Sequence, residues 1–126
     1  MYAIVRGDLE MPPGKMAAQA GHAFVEALRD ASSNWDTDSV AHQDYITYRD
    51  ERPGTKVVLV APDEEALRRI WEYAWRFYEI PAALVFDSGH VMPPHFDGSR
   101  ILTAVGLGPC TKRRAAPVTK GLALVP

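Results

Sequence analysis

The chain has a single cysteine, Cys110, among 126 residues. An internal disulfide is therefore excluded, and the composition fits a reducing compartment. No apolar run approaches the ~20 residues that a membrane-spanning helix needs. The first residues, MYAIVRGDLE, lack the positive-then-apolar layout of a secretory signal. The expected location is cytoplasmic, with no membrane partner. No segment is biased enough to count as low-complexity, and no internal repeat is present. Two catalytic signatures are also missing. Without a Gly-x-Ser-x-Gly elbow, a serine nucleophile with a His/Asp triad is not expected. Without Gly-x-x-x-x-Gly-Lys-Ser/Thr, the chain has no P-loop. What remains is ordinary for a globular protein: 47% hydrophobic and 24% charged residues. The length fits one domain, spanning 1–126.

Acidic residues are missing from one part of the chain only. The formal net charge is −2, yet residues 1–97 balance at −7 and residues 98–126 at +5. The second stretch carries Arg100, Lys112, Arg113, Arg114 and Lys120. Such asymmetry is either an electrostatic footprint for a polyanion or a basic surface segment without a partner.

Strand and helix signals alternate along the chain. YAIVR (2–6), TKVVLVA (55–61), PAALVFD (81–87) and ILTAVGLGP (101–109) read as strands. The stretch from Lys15 to about Asp30 is helical in pattern, and so is PDEEALRRIWEYAWRFYE, with Asp63 as N-cap. In that second helix Leu67, Ile70, Trp71, Ala74 and Phe77 recur at core spacing. Residues 88–100 read as a loop. TKRRAAPVTKGLALV suggests a short helix and a closing short strand. Residues 31–55 are polar; Trp35, Tyr45, Ile46 and Tyr48 are expected to anchor a partly ordered excursion that includes a short helical turn. The alternation predicts an α/β layered fold.

The first helix carries an unusual pattern. At 100° per residue, Lys15, Gln19, His22 and Glu26 fall within about 60° of arc. Ala17, Gly21, Phe24 and Leu28 lie on the other side, where small residues would let the helix approach a sheet closely. The polar stripe is either a solvated face or one wall of a site. A lysine in the first turn sits at the wrong end for the helix dipole, and Gly-Lys at a helix start places N–H donors beside an ammonium.

These residues belong to a longer pattern. VRGDLEMPPGKMAAQAGHA (5–23) resembles the signature of the archaeal/eukaryotic-type peptidyl-tRNA hydrolases. Val5, Arg6, Asp8, Leu9, Met11, Gly14, Lys15, Ala17, Ala18, Gln19, His22 and Ala23 match it. TKVVLVAPDEEAL, FDSGH, TAVGLGP and VTKGLALV are similar to later segments of the family, in the family's order; residues 31–54 are outside the resemblance.

The resemblance implies hydrolysis of the ester joining a peptide, or an N-blocked amino acid, to the 3′ end of tRNA. It implies no redox cofactor, no obligatory metal, and a fold that is often a homodimer. The implied fold is a single-domain three-layer sandwich, a mixed four-stranded sheet with helices on both faces. By the same resemblance the catalytic residues are Lys15, Asp87, Thr103 and His22. Asp87 would orient or deprotonate water, Lys15 would stabilise an oxyanion or a phosphate, and Thr103 would hold the water or the carboxylate. Gln19, Arg6, Asp8, Lys112, Arg113 and Arg114 are candidate substrate contacts. One loop departs from the family pattern. Residues 87–92 read Asp-Ser-Gly-His-Val-Met, so His90 stands where the family has an arginine, and the loop before Thr103 is longer, with Pro93, Pro94 and His95. Two alternatives follow: a non-catalytic member of the fold that binds tRNA or a protein, and an α/β enzyme acting on a small phosphorylated or acylated substrate.

Overall fold

The computed structural model of the chain describes residues 1–51 and 53–126; Arg52, inside the excursion expected at 31–55, lies outside them. In chain order the elements are β1 (Tyr2–Arg6), α1 (Pro13–Ser33), α2 (Val40–Asp50), β2 (Val57–Ala61), α3 (Glu64–Phe77), β3 (Ala82–Asp87), β4 (Val91–Met92), β5 (Phe96–Asp97), β6 (Ile101–Leu107), α4 (Lys112–Thr119) and β7 (Ala123–Leu124). Five strands form one mixed sheet in the order β3-β6-β1-β2-β7. Strands β1 and β2 are parallel, and the other pairs are antiparallel. The closing short strand joins this sheet as β7, so the sheet has five strands rather than the expected four. Its two residues pair with Leu59 and Val60 only.

The expected three layers are present. On one face α1 packs over β1, β6 and β3, burying Ala3, Val5, Val85, Ala104, Ala20 and Ala23 together with Phe96. On the other face α3 and α4 cover Ile4, Leu59, Leu102, Val105 and Leu107. Strand alternation divides each strand's residues between these two cores.

Helix α1 is rotated relative to the expectation. Its buried residues are Gln19, Ala20, Ala23, Ala27 and Ala31, whereas Ala17 and Gly21 are exposed and Phe24 and Leu28 half-buried. Alanines lie on almost every side of this helix, so its sequence contrast is too weak to fix the phase. The close approach is made by the sheet instead. A Cβ on Gly106 of β6 would run into the Ala23 carbonyl oxygen and lie 2.9 Å from the Ala27 Cβ, whereas one on Gly21 would meet nothing within 4 Å.

The excursion at 31–55 is more regular than expected. Helix α1 continues to Ser33, and Ser39 caps the eleven-residue α2 by accepting from the His42 N–H. Only Ala41 of α2 is fully buried, and Trp35, Tyr45, Ile46 and Tyr48 are half-buried. Helix α3 begins as expected, with the Asp63 side chain accepting from Ala66 N–H at 2.9 Å. Leu67, Ile70 and Ala74 are buried and Trp71 half-buried, but Phe77 is 62% exposed. After α3 the chain reverses through Glu79, in left-handed conformation with φ of 50°, and Ile80 N–H donates to Ala74 O. Ile80 thus fills the core beneath the last turn and leaves Phe77 outside. The loop at 88–100 holds a small ribbon in which Val91 faces Asp97 and Met92 faces Phe96.

Candidate active site

The signature residues converge at the end of the sheet where β1 and β3 finish and β6 begins. Helix α1 starts at Pro13, which lacks an N–H in any case, after Pro12, which gives no side-chain cap; its first turn holds no acid. Lys15 in that turn extends across the sheet end. Asp87, the last residue of β3, points to the α1 face because it alternates with Val85. Lys15 Nζ donates to Asp87 Oδ2 at 2.8 Å, and the two side chains are 12% and 19% exposed. Phe96 from the ribbon closes the far side, with its ring centroid 4.2 Å from Nζ. His90 stands edge-on to Phe96 at 6.1 Å, and His95 Nε2 lies 3.5 Å from Glu10 Oε2.

This ion pair keeps spare capacity. An ammonium has three donors and a carboxylate has two oxygens. Among the described residues Lys15 uses one donor, and Asp87 Oδ1 accepts nothing. The site can therefore hold a water on the carboxylate and an anionic oxygen on the ammonium at once.

Thr103 reaches the site by a register shift. The β3–β6 pairing steps from Val85↔Ala104 to Phe86↔Leu102, so Thr103 is the extra residue of a bulge. The bulge turns Thr103 to the same face as Ala104, beneath α1. Its hydroxyl is fully buried, 2.6 Å from Gln19 Oε1 and 3.2 Å from Val85 O. Thr103 thus contacts Gln19, not Asp87. Gln19 is one turn along α1 from Lys15 and 5% exposed, and its amide nitrogen has no protein partner among the described residues. His22 is exposed, about 10 Å along the helix axis from Lys15.

The other candidates lie apart. Arg6 alternates to the α3 face of the sheet. Its Nε and Nη2 donate to both oxygens of Asp8 at 2.9 and 2.7 Å, and its Nη1 donates to Glu64 Oε2 and Leu102 O at 3.3 and 3.0 Å. The bonded guanidinium holds the Asp8 carboxyl below its ordinary value, and bonding to Asp8 raises the Arg6 guanidinium. Lys112, Arg113 and Arg114 start α4 beyond the other end of β6, a strand length or about 20 Å away. Arg114 is already bound there: it donates to Asp44 Oδ2 at 2.8 Å, Tyr78 O at 2.9 Å and Glu79 O at 2.7 Å, tying α2 to the end of α3. Lys112 and Arg113 are exposed.

Two residues near the site are not singled out by the sequence pattern. Phe96 is the only aromatic residue in the loop between Asp87 and Thr103, and it is buried beneath Lys15. Arg100, seen only as one positive charge among five, is stacked 3.7 Å from the Phe86 ring centroid. A lone phenylalanine in a proline-rich loop is the available signal for Phe96.

Comparison with known proteins gives one family throughout. The family model described as peptidyl-tRNA hydrolase PTH2 matches residues 1–125. A peptidyl-tRNA hydrolase of Methanococcus maripaludis is 34% identical over 122 residues, 97% of this chain and 95% of that protein. One from Methanocaldococcus jannaschii is 33% identical over 127 residues, 99% and 98% of the two chains. The mitochondrial peptidyl-tRNA hydrolase 2 of Bos taurus is 32% identical over 109 residues, covering 86% of this chain and 55% of the longer relative.

Proposed function

The chain belongs to the peptidyl-tRNA hydrolase PTH2 family, and from that membership we propose how its own residues carry the reaction. The reaction is hydrolysis of the ester joining a peptide, or an N-blocked amino acid, to the 3′ end of tRNA. It releases the free tRNA. The observation that carries the assignment of roles is the Lys15–Asp87 pair with unused donors and an unused oxygen.

Asp87 Oδ1 accepts a hydrogen from water and turns its lone pair toward the ester carbonyl. The water adds to the carbonyl carbon, and its proton passes to the carboxylate. One of the two remaining N–H groups of Lys15 donates to the carbonyl oxygen as it becomes an oxyanion. The Asp87 and Phe96 contacts fix Nζ beforehand, so little reorganisation is needed at that moment. The tetrahedral intermediate collapses, the bond to the ribose oxygen breaks, and the proton held by Asp87 returns to that leaving oxygen. Gln19 offers its amide N–H groups along the same wall, and Thr103 is the positioning residue that holds Gln19. His22, two turns away, borders the approach of the substrate rather than the reacting bond.

Among the described residues no helix is long and apolar enough to cross a membrane. Translation quality control in the cytoplasm is the setting we infer, and a homodimer is the assembly, which sedimentation equilibrium checks. The test of function is release of tRNA from N-blocked aminoacyl-tRNA. Release by wild type and its loss in Lys15 and Asp87 variants is the expected result. No release at high enzyme concentration would overturn it in favour of a non-catalytic binder. Equal activity on a small ester without any RNA would overturn the substrate class.

A further inference from the structure

We propose that Arg100 is the phosphate contact for the 3′-terminal strand of the substrate, held ready by its stack on Phe86. This rests on the hydrolase function above and assigns to it a binding residue that lies outside the ion-pair site.

The inference begins with which cations are free. Arg6, Lys15, Arg29, Arg49, Arg68, Arg69, Arg76 and Arg114 all pair with carboxylates, and Lys56 donates to two carbonyls. Among the described residues that leaves Arg100, Lys112, Arg113 and Lys120. Lys112, Arg113 and Lys120 belong to α4 and its end, whereas Arg100 immediately precedes β6 at the catalytic end of the sheet. Ile101 is the register partner of Asp87, so Arg100 stands one residue from that partner.

Its surroundings also suit a phosphate. The guanidinium lies over Phe86, 3.7 Å from the ring centroid, and the residue is exposed. The ring fixes the guanidinium without using any of its five N–H donors, so the fork is both oriented and unfilled. A bidentate phosphate contact needs those two properties together. Phe86 and Asp87 are consecutive, so they turn to opposite faces of β3, and β3 is the edge strand of the sheet. Among the described residues no further strand separates the faces there. A single strand whose terminal ester lies on Lys15 and Asp87 can round the end of β3 and bring an internucleotide phosphate onto Arg100. An adenosine ester has no such phosphate, which gives the test its contrast.

The test uses the same N-acetyl-aminoacyl ester carried by adenosine, by the trinucleotide CCA and by full-length tRNA. Wild type should hydrolyse the CCA ester more efficiently than the adenosine ester. In Arg100→Ala that preference in kcat/KM should fall roughly tenfold, through KM. Arg100→Lys should keep part of it, because the charge remains and the planar fork is lost. The salt dependence of CCA binding should become shallower by about 0.7 in log–log slope, as for one lost phosphate on a single strand. Lys120→Ala, the same change of charge elsewhere, should keep the wild-type preference. An unchanged preference in Arg100→Ala would overturn the proposal. So would an equal loss on the adenosine ester, which would point to base or ribose contact. If wild type releases nothing from any ester, the hydrolase function fails separately. The contact is then decided by affinity for uncharged CCA: a tenfold loss in Arg100→Ala sustains it, and equal affinity overturns it.

Discussion

Two ionic clusters occupy the same end of the sheet, one on each face, and they differ in what they leave unfilled. On the α3 face Arg6 makes four hydrogen bonds, to Asp8, Glu64 and the Leu102 carbonyl. On the α1 face Lys15 makes one among the described residues, to Asp87. Both cations are largely buried, at 11% and 12% exposure, so burial does not separate them. Saturation does. A guanidinium with four of its five N–H donors used braces the β1–α1 loop against α3 and has little left to give a substrate. An ammonium with one of its three donors used, beside a carboxylate with one oxygen unused, can accept a water and an oxyanion with no protein bond broken first.

The strongest way to break this contrast is to remove the unsaturated pair. Lys15→Ala and Asp87→Asn should each lower kcat/KM on N-blocked aminoacyl-tRNA by about 10³-fold, the range for lost oxyanion stabilisation or base catalysis. The melting temperature should move far less than the rate. A release assay beside a thermal melt reads both. Wild-type turnover in either variant would sink the assignment of that residue.

Arg6 is the converse. Arg6→Ala should lower stability by about 2 kcal/mol, discounted because Asp8 and Glu64 are more than 40% exposed. Turnover per folded molecule should change much less. Urea unfolding and active-site-normalised rates separate the two effects. A variant that is fully stable yet binds tRNA poorly would move Arg6 back among the substrate contacts, where its place in the signature first suggests it belongs.

That case shows what the sequence could and could not disclose. A signature names residues together without saying which face of a strand each one takes. Arg6 and Val5 are neighbours in the motif, but strand alternation sends them to opposite faces of the sheet, Val5 into the core beneath α1 and Arg6 to Glu64 of α3. Asp63 was legible as a cap because capping is local. The partners that engage Arg114, namely Asp44, Tyr78 and Glu79, are 35 or more residues away, so no local pattern discloses them. The same long-range ties hold α2, whose own apolar contrast is weak, and its helix was legible only as a possible turn. The ribbon that carries Phe96 has two-residue strands, too short to show any periodicity.

Thr103 tests the border between the two kinds of cluster, since it is fully buried yet touches a residue of the open site. Thr103→Val should destabilise by roughly 1–2 kcal/mol, because the single hydroxyl hydrogen given chiefly to Gln19 Oε1, with Val85 O as the longer second acceptor, is lost. It should also lower kcat about tenfold by freeing Gln19. Thr103→Ser should restore both. Stability loss without a kcat change would mean that Thr103 serves the bulge alone.

The smallest effect is a dependence on acid. Hydrogen bonding to Arg6, the largest cause, and the charge of Arg6 hold the Asp8 carboxyl below its ordinary value in the folded chain. A carboxylate whose folded value is depressed adds stability that is fully present above its unfolded value, about pH 4. That stability is lost as pH falls through the lower folded value. Asp8→Asn removes the ionisation and keeps the size. The variant should therefore melt below wild type above about pH 5, and the gap should narrow as the pH approaches 2. Thermal melts across that range check it. A gap that stays constant with pH would mean that the Arg6–Asp8 contact does not stabilise through charge. The saturated cluster would then brace the loop through Glu64 and the Leu102 carbonyl alone, and its contrast with Lys15–Asp87 would rest on geometry rather than on how many ionic partners each cation has taken.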